Sequence, residues 1–368
     1  MSIEHAAPRP PDQIGRGLVN LSAHLEWSLA GSALAPGLAA DLADAIPQAD
    51  AIVLVLFDGL GSHQLDHPSA GALRSAAAGT IDAPFPTTTT VSLATLATGV
   101  SPAEHGLIAH ALSLPALGTV VNTIHMRTVF GQDLDLDLDG FLPSPTLWTR
   151  LAAAGIEPVT VQPGNFGTSA LTRTLYGGSR FEGYFNADEI TAVTADVASH
   201  RGRFVFVYVP FIDLAAHMHG QASAEYAKAV AAADAIWDRL SATLPDTVAL
   251  VGTSDHGHID IAADRRIRLT EADESGLLLA GDSRALFVTG DPAPILQRAP
   301  AQWVPIEELD GFWGPRPVHE RFRDRLPDGV VFPDEGWAVF ARYMNDRLIG
   351  YHGGLSDEER EIPLLVRR

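Results

Sequence analysis

Four short segments place aspartate and histidine where together they could grip metal ions. They are Asp58 in LFDGLG, Asp213 with His217 in DLAAHMHG, Asp255 with His256 in TSDHG, and His352 in HGG. Asp213 and His217 are four residues apart, so one face of a helical turn presents both to one ion. Asp255 and His256 are adjacent and can converge where a strand ends and the chain turns. Carboxylate oxygen with imidazole nitrogen suits zinc and also accommodates manganese or iron. The 368-residue chain has no cysteine. That excludes disulfides, thiolate metal sites, a cysteine nucleophile and a cysteine-derived formylglycine. Singly, an aspartate after a strand is also a turn former and a histidine also a surface or core residue. The set is what carries weight, each member beside a strand end or a glycine-rich turn.

The elements that must position these residues are legible around them. AIVLVLFDGLG (51–61) is an apolar, partly β-branched run that stops at Asp58 and glycine. It reads as a buried parallel strand with a polar residue at its carboxyl end, where open α/β sheets bind ligands. FVFVYV (204–209) leads to Asp213 in the same way, and a strand over 247–252 ends in TSDHGH. A helix over 148–155 with a glycine stop precedes a strand at 157–162. Residues 221–244 have helical spacing, as do the alanine-rich residues 31–49. PFPTTTTVSLATLATG (84–99) reads as a loop entering a helix; threonine caps helices well, and helix N-termini attract anions.

Strands alternating with helices predict an α/β fold, a three-layer αβα sandwich on a mostly parallel central sheet. We read residues 1–368 as a single catalytic domain. Residues 260–345, rich in Arg, Asp, Pro and Trp, form a small peripheral insertion with strand-like pieces at 285–288 and 337–343. Residues 1–15 are proline-rich and read as an arm. DLDLDLDG (133–140) begins like a calcium loop, but its twelfth position is Thr146 rather than a bidentate glutamate. The alternation also reads as an edge strand with a charged face.

The formal charge is −20, from 45 acidic and 25 basic residues. Such a chain is a poor binder of nucleic-acid polymers or anionic membranes, which are held by Lys and Arg. An anionic substrate would need local attraction, which bound metal supplies. The apolar run 51–57 is too short to span a bilayer, and the N-terminal residues lack a basic start followed by an apolar run. We therefore expect a cytoplasmic protein without membrane contact.

With these segments assembled, the chain resembles the alkaline phosphatase superfamily, in its type I phosphodiesterase/nucleotide pyrophosphatase branch. The matching pieces are LFDGLG (56–61), FPTTTTVSLATLATGVSPAEHG (85–106), DLAAHMHG (213–220), TSDHG (253–257) and HGG (352–354). The resemblance implies two divalent metal ions, most simply zinc. Asp58, Asp255, His256 and the nucleophile hydroxyl would surround one, and Asp213, His217 and His352 would hold the other. Counting ten residues back from Gly99 gives Thr89 as nucleophile, with Thr88 its nearest rival and Thr87 and Thr90 beside it. The resemblance implies a small phosphate-ester substrate hydrolysed through a phospho-threonine. The alternatives are a phosphomonoesterase, a phosphonate C–P hydrolase and, further off, a phosphomutase. Relatives carry an asparagine that holds a phosphate oxygen where this chain has His110. His110 is read equally as a substrate donor or as structural. Asn165 and Arg173, with Ser169 and Thr172, lie in the loop PGNFGTSALTR and are read as loop surface or as substrate contacts. His105 and His258 read as structural, and His219 as pointing elsewhere.

Overall fold

The computed structural model of the chain describes residues 8–143 and 145–367. Its centre is a seven-stranded sheet of β1 (Ala51–Phe57), β2 (Ala77–Asp82), β3 (Glu157–Pro163), β4 (Arg180–Tyr184), β5 (Arg203–Val209), β6 (Val248–Thr253) and β7 (Glu361–Val366), in the order β2-β7-β6-β1-β5-β3-β4. β1 pairs in parallel with both β5 and β6, and β3 in parallel with β5 and β4. β7 alone runs antiparallel to its neighbours. The expected mostly parallel sheet is thus present.

Alternation along the central strands divides two cores, because successive side chains leave opposite faces. Ile52, Leu54 and Leu56 of β1, with Phe204, Phe206 and Tyr208 of β5, pack toward helices Leu18–Ala30 and Leu147–Ala153 and helix α1 (Thr89–Thr98). Val53, Val55 and Phe57, with Val205, Val207 and Val209, pack toward helices Ala187–Ala198 and Ala224–Thr243. The result is the three-layer αβα sandwich. Every β1 residue is buried, which is why the strand reads as a continuous apolar run.

A second seven-stranded sheet orders its strands as 301–305, 329–333, 285–289, 278–282, 111–114, 119–122 and 127–128. Residues 260–345 thus share a sheet with three strands from 111–128. Two local expectations change. The helical spacing of 31–49 yields only the four-residue helix Ala40–Ala43, because Pro36 and Gly37 interrupt it and its alanines offer little to bury. The long helix here is instead Leu18–Ala30, which buries Leu18, Leu21 and Leu25 and stops at Gly31 in the left-handed region. Residues 133–140 form no ladder, and their one bridge joins Asp133 to Arg127. Leu134, Leu136 and Leu138 pack on the core and turn the aspartates outward, and no candidate metal group among the described residues includes them. Of the expected N-terminal arm, residues 1–7 lie outside the described residues. Asp12 and Gly17 contact Asp82 at the sheet edge. Among the described residues no helix is long and apolar enough to cross a membrane.

Candidate metal centre and active site

The carboxyl ends of β1, β5 and β6 lie side by side in the sheet, and the segments that leave them converge. Asp58 comes directly after β1. Helix α2 (Phe211–His219) comes after β5 and carries Asp213 and His217, and the Asp213 amide donates to the Asp58 carbonyl at 3.0 Å. Asp255 and His256 come after β6. Gly59 has φ +77°, and a Cβ there would lie 2.9 Å from the Asp213 Cα. Glycine at this position lets the turn after β1 and helix α2 approach one another. His352 arrives just after the short strand Gly350–Tyr351.

Two groups form. In the first of these two, His256 Nε2 lies 3.6 Å from Asp58 Oδ1 and 3.5 Å from Asp255 Oδ2. In the second, Asp213 Oδ1 lies 3.2 Å from His217 Nε2 and 4.0 Å from His352 Nε2. Within each group the possible ligand atoms all lie within 4.8 Å of one another. The six residues singled out in the sequence are thus brought together as two triads.

The donor chemistry fits divalent cations. His217 Nδ1 donates to the Gly350 carbonyl at 2.8 Å, His352 Nδ1 to the Thr87 carbonyl at 2.9 Å, and His256 Nδ1 to the Gly257 carbonyl at 3.1 Å. A carbonyl only accepts, so each imidazole carries its proton on Nδ1 and turns a lone pair inward on Nε2. Asp255 is oriented likewise. The Gly59 and His256 amides donate to its Oδ1 at 3.0 and 3.1 Å, and its Oδ2 is buried without a hydrogen-bond partner. Tyr208 donates to Asp58 Oδ2, and Asp58 Oδ1 is likewise buried without a hydrogen-bond partner. Buried carboxylate oxygens without partners are costly unless a cation meets them.

Electrostatics reflect the crowding. Burial, then the charges of Asp255 and Asp213, push the Asp58 carboxyl well above its usual range. Burial opposes ionisation of Asp213, but the His217 and His258 imidazoles outweigh it and hold that carboxyl well below the usual range. Burial and three neighbouring imidazoles hold His352 neutral, far below the ordinary imidazole value.

The threonines of the run differ in burial. Thr87, Thr88 and Thr90 are at most 1% exposed, while Thr89, the first residue of α1, is part-exposed; it and Thr88 line a cavity of about 410 Å³ with Asp213, His217 and His352. Its Oγ1 is 3.2 Å from His256 Nε2. Thr88 holds the cap position without a capping side-chain bond. Thr90 bonds Thr123 at 2.8 Å. Thr87 is a latch: its hydroxyl accepts from the Gly353 amide at 3.1 Å and donates to the Gly354 carbonyl at 2.9 Å, while its own carbonyl orients His352.

Of the softer candidates, His110 lines this cavity. Asn165 and Arg173 do not: Asn165 sits exposed on a single turn at Gly164–Phe166, and Arg173 faces outward toward Asp139 at 3.5 Å. His219 is exposed, as expected. His105 is buried between Thr95 and the Leu107 amide. Sequence reasoning missed four residues. His258, set aside as structural, places Nε2 2.9 Å from Asp213 Oδ1. Tyr208 holds Asp58. Asn122 and Asp282 line the cavity from the second sheet. Only TSDHGH, with His258 two residues past His256, carried a local signal.

An αβα fold with aspartates and histidines at its strand ends and a hydroxyl on the adjoining helix start defines an alkaline phosphatase-superfamily hydrolase. The type I phosphodiesterase/nucleotide pyrophosphatase family model matches residues 52–355, and the chain belongs to that family of phosphoric ester hydrolases. No curated protein matches the chain in sequence. Among solved structures it is similar to murine ectonucleotide pyrophosphatase/phosphodiesterase 5, with TM-score 0.65, 20% identity, and coverage of 85% of this chain and 87% of that one. An inactive form of the murine protein in complex with AMP matches with TM-score 0.63 at the same identity and coverage. Phosphonoacetate hydrolase from Sinorhizobium meliloti, in complex with phosphonoacetate, matches with TM-score 0.63, 17% identity, and coverage of 88% and 91%.

Proposed function

We propose that the protein is a phosphodiesterase that holds two zinc ions, one by Asp58, Asp255 and His256 and one by Asp213, His217 and His352, with Thr89 as nucleophile. The observation that carries this reading is the Thr89 hydroxyl, the one part-exposed hydroxyl of its run, set 3.2 Å from His256 at the mouth of both triads. When bound, the ions supply a lowered hydroxyl pKa and compensate charge on the oxygens of an in-line displacement. Thr89 Oγ1 attacks phosphorus, the bond to the leaving oxygen breaks, and a phospho-threonine forms. Water then attacks this ester from the vacated side, returning the threonine hydroxyl and releasing the phosphoryl product. The threonine begins α1, where unpaired first-turn amides favour an anion.

His110 and Asn122 act as a pair in this reading. Asn122 Oδ1 accepts from the Ile124 and His125 amides, each at 3.1 Å. This fixes the amide so that Nδ2 donates to His110 Nε2 at 3.3 Å. Burial lowers His110 to about 4, so it stays a neutral acceptor, and the remaining Asn122 N–H is free to donate to a phosphate oxygen. We assign the oxygen-holding role to Asn122, with His110 as its brace.

A phosphonate hydrolase acting on a dianionic substrate such as phosphonoacetate is the weaker reading, because among the described residues neither Lys nor Arg lines the cavity to meet a second anionic end. We keep the cytoplasmic location expected from the sequence as part of this proposal. The test is a panel on zinc-loaded protein: bis(p-nitrophenyl) phosphate, p-nitrophenyl phosphate and phosphonoacetate. Diester turnover should exceed the other two. Faster release of phosphate from the monoester or from phosphonoacetate would refute the diester assignment.

A further inference from the structure

Asp282 is the cavity carboxylate that the proposed chemistry leaves unused. It ends the strand Leu278–Asp282 of the second sheet and lines the same cavity as Thr89. It packs against Gly353, where an added Cβ would lie 2.7 Å from the Asp282 Cβ. Its Oδ2 is buried and has no hydrogen-bond partner among the described residues. Such an oxygen calls for a donor or a cation, and none of the donors along the lining, which among the described residues contains neither Lys nor Arg, bonds it. In the same lining, Tyr343 and Met344 are part-exposed. Ring faces and a thioether are surfaces on which an organic cation settles favourably.

The charge of the site points the same way. Asp58, Asp213 and Asp255 leave two divalent ions with one positive charge over, which a diester monoanion neutralises. Asp282 adds a fourth carboxyl to the cavity, which burial raises to about 8, so that it ionises most readily opposite a cation. A second negative charge on the substrate would face it uncompensated, whereas one positive charge would restore balance. Resting on the phosphodiester reading above, we propose that the preferred substrates are zwitterionic diesters, whose retained organic group carries an ammonium bound by Asp282 against Tyr343. The ammonium donates to the Asp282 carboxylate, and its alkyl stem lies along Tyr343.

The test uses two diesters with the same nitrophenolate leaving group on zinc-loaded full-length protein: 4-nitrophenyl phosphorylethanolamine and 4-nitrophenyl propyl phosphate, which replaces the ammonium by a methyl group. The zwitterion should have a kcat/KM about tenfold or more above its uncharged isostere, as one charge-assisted hydrogen bond implies. Asp282→Asn should collapse that ratio toward one. Tyr343→Leu, which removes a ring and no charge, should reduce it by a smaller factor. Equal turnover of the two esters by the wild type, or a preference that survives Asp282→Asn, overturns the assignment of Asp282 and leaves the phosphodiester reading standing. Absence of turnover on both esters and on the simpler panel overturns that reading and this inference together.

Discussion

Asp58, Asp255 and His256 keep at most 3% of their side chains exposed, whereas Asp213, His217 and His352 keep between 12% and 20%. The first triad hangs from the ends of β1 and β6, deep between two cores. Its residues are fixed by backbone amides and by Ser254, whose hydroxyl bonds the Phe57 and His256 carbonyls. The second triad comes from a helix and a glycine-flanked loop and opens onto the cavity. Desolvation is therefore concentrated in one half and access in the other. A buried anionic cluster binds a cation tightly because nothing else satisfies it; an open one exchanges with solvent and meets the substrate.

That contrast can be broken at its strongest point first. Asp255→Asn leaves the Gly59 amide an acceptor but removes the charge. It should cost about 10³-fold in diester turnover and about 3 kcal/mol in stability, read by kinetics and by denaturation of the metal-loaded protein. His352→Ala should cost similar turnover but far less stability and should lose only the more weakly held ion in metal analysis. Equal stability losses in the two variants would erase the distinction.

Thr87 offers a finer cut, because it ties the nucleophile loop to the open half. Thr87→Val removes both hydroxyl bonds to the 353–354 loop. We expect about 10- to 100-fold weaker binding of the second ion, with Thr87→Ser restoring it and the first ion unaffected. Loss of both ions equally would mean that Thr87 serves the fold and not His352.

The smallest effect concerns pH. Burial works against protonation of His217, but Asp213 outweighs it and raises the imidazole above its usual value. Metal binding needs the neutral ring, so proton and ion compete there. As pH falls through the region just above the ordinary imidazole value, zinc affinity of the open half should fall before that of the buried half, in which His256 is the single imidazole. Zinc titrations at several pH values check this. Parallel loss from both halves would contradict it.

Much of the site was readable because its ligands terminate β-rich apolar runs, and a buried parallel strand declares itself by composition. Asp58, Asp213 and Asp255 were found this way. The four threonines were separable only by counting, since nothing local distinguishes a buried hydroxyl from one turned to a cavity. Asn122 and Asp282 were invisible for a different reason. They lie on short strands of the second sheet, far apart in sequence, and only the pairing of strand 111–114 with both 119–122 and 278–282 brings them to the cavity. The misplaced N-terminal helix shows the limit of spacing alone: alanines repeat helically over 31–49, but the leucines of 18–30 have a core to fill.

The role of Thr89 is tested most directly by Thr89→Ala with metal and product measured together. We predict that the variant retains two zinc ions per chain, like the wild type, while diester turnover falls by at least about 10³-fold and no phosphoryl group becomes attached to the protein. Substantial turnover in that variant, or labelled phosphoryl on a threonine other than Thr89 in the wild type, would contradict it.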